Sequence, residues 1–356
     1  MADVVVVGAS FAGLAAAREL RGHDVVVLDR SPVGAHQTSA CALPSSLAAW
    51  LGAGESVLFE DDLMEVAIGS STWRVRLPEP YCVIDYARCC TLVAEQCDAR
   101  VELVRATGRD GAAVVDADGG RHEARWLVDA SGWRRVLDAA GPTEGRDTAL
   151  VIGTEDHVPL AAAGSFGGFR FHLDRSLLRA GYGWSFEAGD HVRAGVGSFA
   201  KEPLQAPLAR LRERDALGDA TEHHGGAIAC VPRPPVDGPV LFAGDAAGHA
   251  LPVTLEGIRP AVYFGAAAGR LLAAALDGRI AGDEARRRYT ALHDAHLGGY
   301  ARLLRLQRWY GRLPTALLRR LVTRGVGRPT GPHGEVALRG RRYVEVLRAE
   351  RLPDLP

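Results

Sequence analysis

The chain has 356 residues, 47% of them apolar and 24% charged, with a net charge of −1. That length suits two lobes better than one core, and that balance leaves no overall basic footprint for nucleic acid. No run of 18 uncharged apolar residues and no basic leader before the first strand occur, so a soluble cytoplasmic protein is expected.

Residues 3–7, DVVVV, read as a buried strand. GASFAG is a turn, FAGLAAAREL a tightly packed helix, and HDVVVLDR a second strand ending in an acid. This is a βαβ unit with a dinucleotide fingerprint. Gly8 permits the tight turn, Gly13 lets helix and sheet approach, and Ser10 stands at the middle glycine's place. Asp29 lies where a ribose hydroxyl is held in such units. An empty Rossmann-like unit is the alternative.

Residues 31–56 read as a loop and a helix, 57–84 as strands, and 86–97 as a helix. Residues 100–129 read as strand, hairpin near Asp118-Gly119, and strand. The stretch 150–200 is strand-rich, 201–218 helical, 239–245 a buried strand, and about 257–276 an Ala-rich helix. Within 181–190, Tyr182, Trp184 and Phe186 alternate, so a strand points all three rings to one face. His223-His224 read as capping a strand rather than binding a metal. Beyond 283 the chain is helical, and 295–334 holds eight arginines and no acid, divided by Pro314. Such a segment packs on the protein's own surface, lies in a membrane interface, or holds a partner. The six cysteines form no C-x-x-C pair. Cys90 and Cys97 could share a helix face, but buried thiols are the expected state and no metal site is assigned. A sheet begun, interrupted and resumed near residue 240 implies two interleaved domains. One comprises 1–56, 84–150 and 236–282, the other 57–83 and 151–235, with a helical region over 283–356.

Three motifs stand in order: GASFAG, LVDASGWRR at 127–135, and AGDAAG followed by P-x-x-L-E-G-I. Together they resemble the FAD-dependent superfamily that contains aromatic hydroxylases and geranylgeranyl reductases, over most of residues 1–280. The reductase branch fits best. Cys41-Ala42-Leu43-Pro44 stands where its members carry a Cys-centred loop. Tyr182-x-Trp184-x-Phe186, then Gly189-Asp190 and AGVGS, matches their aromatic motif. The resemblance implies an α/β fold in which a Rossmann-like FAD-binding domain is interleaved with a β-sheet substrate domain, plus a helical C-terminus.

The resemblance also implies roles. Gly8, Ser10, Ala12 and Gly13 would cradle the pyrophosphate, and Asp29 with Arg30 would hold the adenosine ribose. Gly244 and Asp245 would face the ribityl chain. Gly257 and Ile258 would present N–H groups to the flavin N1/C2=O edge, with Cys41 and Ala42 over the ring. Tyr182, Trp184 and Phe186 would wall a cavity for a polyisoprenoid; a plain core strand is the alternative. The catalytic candidates are Cys41, as proton donor or shape element, and His249, as a titrating group or one merely bonded to a carbonyl. Four departures stand out. Ser10 replaces a glycine. Tyr86 replaces an arginine, which shifts the pyrophosphate grip to Arg88. Leu255 replaces a loop glycine. Glu187 replaces a proline, which puts the substrate class in question. The expected reaction is reduction of a C=C bond in an isoprenoid-like or other apolar small molecule, with hydride from reduced flavin and a proton from a nearby acid. Oxygenation by a flavin monooxygenase, or flavin binding without turnover, are the alternatives. No second G-x-G-x-x-G exists, so NAD(P)H would bind transiently or electrons would come from a protein partner.

Overall fold

Residues 1–143, 150–330, 334–337, 347–353 and 355 are described by a computed structural model. The N-terminal valine run forms β1 (Ala2–Val7), followed by α1 (Phe11–Arg18), β2 (Val25–Asp29), β3 (Ala42–Pro44) and α2 (Ser45–Trp50). A long hairpin follows, β4 (Val57–Ile68) and β5 (Ser71–Ile84), then α3 (Tyr86–Ala94). Next come β6 (Ala99–Leu103), β7 (Ala106–Asp110), β8 (Ala113–Asp116) and β9 (Arg121–Asp129). The middle of the chain supplies β10 (Leu150–Pro159), β11 (Phe169–His172), β12 (Gly181–Ala188), β13 (His191–Ser198), α4 (Gln205–Arg214) and β14 (Glu222–Ala229). The remainder is β15 (Val236–Asp237), β16 (Val240–Phe242), α5 (Ile258–Leu276), α6 (Gly282–Tyr310), α7 (Thr315–Val326) and β17 (Val336–Ala337).

Two sheets result. The first runs β15-β16-β9-β1-β2-β6, with the β7–β8 hairpin attached through β9. Its centre is parallel: Val4 pairs with Val25 on one side and Trp126 on the other. Strands buried on both faces read as unbroken apolar runs, which is why DVVVV carries no alternation. The second sheet runs β14-β10-β13-β12-β11-β4-β5-β17, mostly antiparallel, with β3 on β5. Residues 42–44 therefore pair with Tyr81–Val83, and the Cys41 loop is tied to the second sheet.

The helix α1 lies on α5 at backbone contact. A Cβ on Gly265 would stand 2.2 Å from the Ala12 carbonyl oxygen, and one on Gly269 would stand 2.4 Å from that of Ala16. The small residues of both helices are thus a packing requirement. α6 closes over α5 and reaches β16, where the Tyr289 hydroxyl donates to the Phe242 carbonyl at 2.7 Å. α4 covers the far face of the second sheet through Leu208 and Leu211. Three elements are shorter than the pattern predicts, among them α3, which ends at Ala94. α4 begins only at Gln205, since the residue before Pro203 resists helical geometry. β16 stops at Phe242, because Gly244 turns to φ +62°. His223 and His224 lie inside β14 rather than capping it. No described helix is long and apolar enough to cross a membrane.

Candidate active site

The turn after β1 is fixed by contact. A Cβ on Gly8 would stand 2.3 Å from the Ala130 carbonyl oxygen, and one on Gly13 would stand 1.8 Å from that of Gly8. Gly8 also has φ +109°, which L side chains rarely adopt. Asp29, at the end of β2, accepts from the Ala9 N–H (2.7 Å) and the Ser31 N–H (2.9 Å). Each carboxylate oxygen keeps a lone pair for a ligand hydroxyl, whereas Arg30 is exposed. Ser10 occupies the N-cap of α1, yet its side chain caps nothing, and no acid stands in the first turn. The hydroxyl of Ser10 instead accepts from the Tyr86 hydroxyl at 3.1 Å. The first-turn N–H groups of α1 remain directed at an anion's place.

Tyr86, not Arg88, meets this turn. The Tyr86 ring packs edge-on to Phe11 with centroids 5.6 Å apart. Arg88 stands two helical positions on, about 200° round the axis. Its guanidinium is exposed and paired with Glu55 at 2.6 Å. Helix geometry thus turns Tyr86 to α1 and Arg88 toward Glu55.

The second half of the site comes from the far end of the chain. Asp129 at the end of β9 is fully buried and accepts from the Ser131 N–H, the Ser131 hydroxyl and the Leu137 N–H. Arg135 donates to the carbonyls of Ala246 (2.8 Å) and Pro234 (2.9 Å), and Arg233 donates to that of Asp245 (2.7 Å). The LVDASGWRR motif is thus a clamp on the loop after β16. That loop meets α1: a Cβ on Gly244 would stand 3.1 Å from Ala12 Cβ.

Asp245 is half-buried and accepts one N–H, from Ala229 at 3.2 Å. Its other oxygen faces Gly257, lying 3.9 Å from where a Cβ there would stand. Gly257 is the N-cap of α5 and no side chain caps that helix; Ile258 beside it is buried. Burial pushes the Asp245 carboxyl up to about 6, against the opposing effects of the Ala229 N–H and Arg233. A carboxylate with one long protein donor among the described residues, beside an uncapped helix start, is a site built for ligand hydroxyls. These residues fit FAD: the α1 turn would take the pyrophosphate, Asp29 the adenosine ribose, Asp245 the ribityl chain, and the start of α5 the flavin's anionic edge.

The loop between Asp245 and α5 takes left-handed backbone at two residues that are not glycine. Val253 has φ +75° and Leu255 φ +56°. Gln307 accepts from the Val253 N–H at 2.8 Å, and the Tyr182 hydroxyl donates to the Thr254 carbonyl. Arg259, almost fully buried, forks onto Glu256 with two contacts of 2.7 Å. Leu255 reaches the second sheet, its Cδ1 2.8 Å from where a Cβ on Gly197 would stand.

Cys41 is fully buried at φ +57°, and its Sγ–H donates to the Ser39 carbonyl at 3.2 Å. Burial pushes the thiol up to about 12, so it stays neutral at physiological pH. His249 lies elsewhere. Its ring stacks on Phe264 at 3.7 Å, and its Nε2 is 3.1 Å from His293 Nδ1. Burial, with His293 adding to it, holds the imidazole well below its ordinary range. Cys41 and His249 share no hydrogen-bond or ring partner among the described residues. His249 packs between Phe264 of α5 and His293 of α6.

Tyr182, Trp184 and Phe186 do share a face of β12. They join Phe171 and Phe169 of β11, with Phe171–Phe186 centroids at 5.1 Å and Phe169–Phe186 at 5.3 Å. Phe59 of β4 extends the row at 5.3 Å from Phe169. The Trp184 indole lies flat on the sheet, because a Cβ on Gly195 would stand 2.2 Å from its Cζ2. The AGVGS glycines thus make a shelf for that ring. Glu187 points to the other face, where its carboxylate accepts from the Gly168 N–H at 3.0 Å, so no carboxylate intrudes from position 187. Two buried charged groups lie near the rings: Arg193, directly across from Phe186 in the sheet register, and Glu155, which accepts the Trp184 indole N–H at 2.7 Å. Burial opposes its ionisation, but His157, His224 and Arg193 outweigh that and hold the carboxyl at about 2. Sequence reasoning missed Glu155, His157, Arg193, Phe169 and Phe171. The alternation Gly153-Glu155-His157 along β10 was the available signal.

Residues 3–96 match the FAD dependent oxidoreductase family. The chain is an FAD-dependent oxidoreductase. Over 322 residues this oxidoreductase is 29% identical to a digeranylgeranylglycerophospholipid reductase of Methanopyrus kandleri, covering 77% of this chain and 81% of that protein. Its fold is similar to that of a geranylgeranyl bacteriochlorophyll reductase-like protein from Thermoplasma acidophilum, with a TM-score of 0.78, 18% identity and 90% of each chain covered. The flavin-dependent brominase Bmp2 shares the fold at a TM-score of 0.70 and 16% identity, over 91% of this chain and 92% of that one.

Proposed function

We propose that this oxidoreductase reduces C=C bonds of an isoprenoid chain. The observation that carries the proposal is the continuous aromatic wall of Phe59, Phe169, Phe171, Phe186, Tyr182 and Trp184, reached by the Cys41 loop on one side and the flavin loop on the other. An apolar chain gains contact area along such rings at low entropic cost. The names of the two reductase-like relatives agree with it. When bound and reduced, FAD supplies the hydride. The chain's own residues would hold the cofactor at Asp29, Ser10 and Asp245, present the start of α5 to the ring's anionic edge, and exclude water with the aromatic wall. Cys41, with its proton retained, gives the ring region a neutral thiol.

The substrate reaches the wall from a lipid surface. The end of α6 packs on β12, with the Tyr310 hydroxyl donating to the Gly181 carbonyl at 3.0 Å. Beside that contact Leu306, Trp309, Leu317 and Leu321 are exposed, among the arginines of 295–334. Apolar side chains set in cationic residues suit an anionic membrane, at about 1 kcal/mol per arginine near the surface. Electrons would arrive from NAD(P)H bound transiently or from a protein partner.

Anaerobic mixing of photoreduced protein with a geranylgeranyl lipid tests the reaction. Rapid flavin reoxidation is expected. Reduced flavin that reacts only with O₂ would refute it. Co-sedimentation with anionic but not neutral vesicles, lost in Trp309→Ser, tests the surface.

A further inference from the structure

Strands β10 and β14 bring a carboxylate and two imidazoles to one point beside Trp184. Glu155 and His157 share a face of β10, and His224 stands directly across from Glu155 in the sheet register. Glu155 Oε1 lies 3.0 Å from His224 Nε2 and 3.3 Å from His157 Nε2. One ligand atom from each of the three residues falls within 4.8 Å of the others. A zinc-class ion binds imidazole nitrogen and carboxylate oxygen at about 2.0–2.2 Å, which sets adjacent ligands about 3.0–3.5 Å apart. Two edges of such a polyhedron are therefore already at length.

The groups that orient the ligands are also present. The Trp184 indole N–H occupies Glu155 Oε2, leaving Oε1 turned to the imidazoles. Glu222 Oε2 lies 3.4 Å from His157 Nδ1, which directs Nε2 inward. A metal-bound histidine ordinarily has such a carboxylate on its other nitrogen. The Gln37 amide is 3.4 Å from His224 Nε2, within reach as an oxygen donor after rotation. Arg193 stands across from His157 in the β10–β13 register and opposes a cation by charge. Its guanidinium is engaged by the Ala40 carbonyl (3.2 Å) and His191 Nε2 (3.3 Å).

We propose that Glu155, His157 and His224 form a binding site for one divalent transition-metal ion of the zinc class. The ion ties β10 to β14 and, through Glu155, fixes the Trp184 indole. The site stands whether or not the substrate is an isoprenoid.

The test uses the full chain stripped with a chelator, titrated with Zn²⁺ by calorimetry and with Co²⁺ by visible absorption. Flavin content is measured on the same samples. One ion per chain is expected, with no thiolate charge-transfer band, which separates the site from the six cysteines. His224→Ala should lower affinity at least 100-fold, and Trp184→Phe, which lacks the indole donor, about 10-fold. His223→Ala should leave it unchanged, since that ring pairs with Asp156 at 2.7 Å on the opposite face. Absence of stoichiometric uptake by the wild type overturns the proposal, as does wild-type affinity in His224→Ala or a thiolate band. The wild-type titration decides the matter even if a variant fails to fold.

Discussion

Replacing Asp245 by asparagine should move apoprotein stability and cofactor affinity in opposite directions. Without FAD the carboxyl is pushed from its ordinary 3.8 up to about 6, chiefly by burial. That difference corresponds to at most about 3 kcal/mol. The sign follows from linkage. Below the unfolded value the group is protonated in both states and costs nothing. As pH rises through about 6 the unfolded chain holds fewer protons than the fold, and the apoprotein loses that stability. Asparagine does not titrate, so the variant should be more stable than wild type by up to about 3 kcal/mol at pH 7 and by little at pH 4. Toward FAD a neutral amide replaces a charged acceptor worth about 1.5–3 kcal/mol, and binding should weaken roughly 10- to 100-fold. Urea unfolding of the apoprotein from pH 4 to 8 and quenching of flavin fluorescence measure the two effects. An apo variant less stable than wild type at pH 7, or unchanged FAD affinity, would refute the reasoning.

Tyr86→Phe should weaken FAD binding by about 2- to 10-fold through the lost hydroxyl contact to Ser10, while Arg88→Ala should leave it unchanged; equilibrium titration compares them. Gly195→Val must displace the Trp184 ring, since even a Cβ there would stand 2.2 Å from it. That should cost about 1–3 kcal/mol and abolish turnover of bulky apolar substrates while flavin is retained. At position 255, the φ of +56° should reverse the usual order of glycine and alanine. Leu255→Ala should be less stable than Leu255→Gly by about 1 kcal/mol, and the opposite ranking in thermal melts would mean the loop relaxes.

What was legible in the sequence follows local rules. GASFAG announced its turn because Gly8 and Gly13 are the residues whose side chains backbone contacts forbid. The alternation of Tyr182, Trp184 and Phe186 placed three rings on one face because a strand has period two. The glycines of AGVGS were visible, but their reason, the flat indole above Gly195, depends on the register of β12 with β13. The Ser10–Tyr86 contact joins residues 76 positions apart, and the Glu155–His224 contact joins residues 69 apart; no local pattern reports either. The environment of His249 is non-local for the same reason. Its position beside AGDAAG suggested the flavin, whereas its surroundings are set by α6, more than forty residues later.

Product mass measures the proposed reaction most directly. The reduced protein, held without oxygen, is given a geranylgeranyl-bearing lipid, and the lipid is analysed by mass spectrometry. A gain of two hydrogens per bond, with one flavin reoxidised for each, is the predicted result. A product that forms only when O₂ is admitted, and that carries an added oxygen, would contradict it.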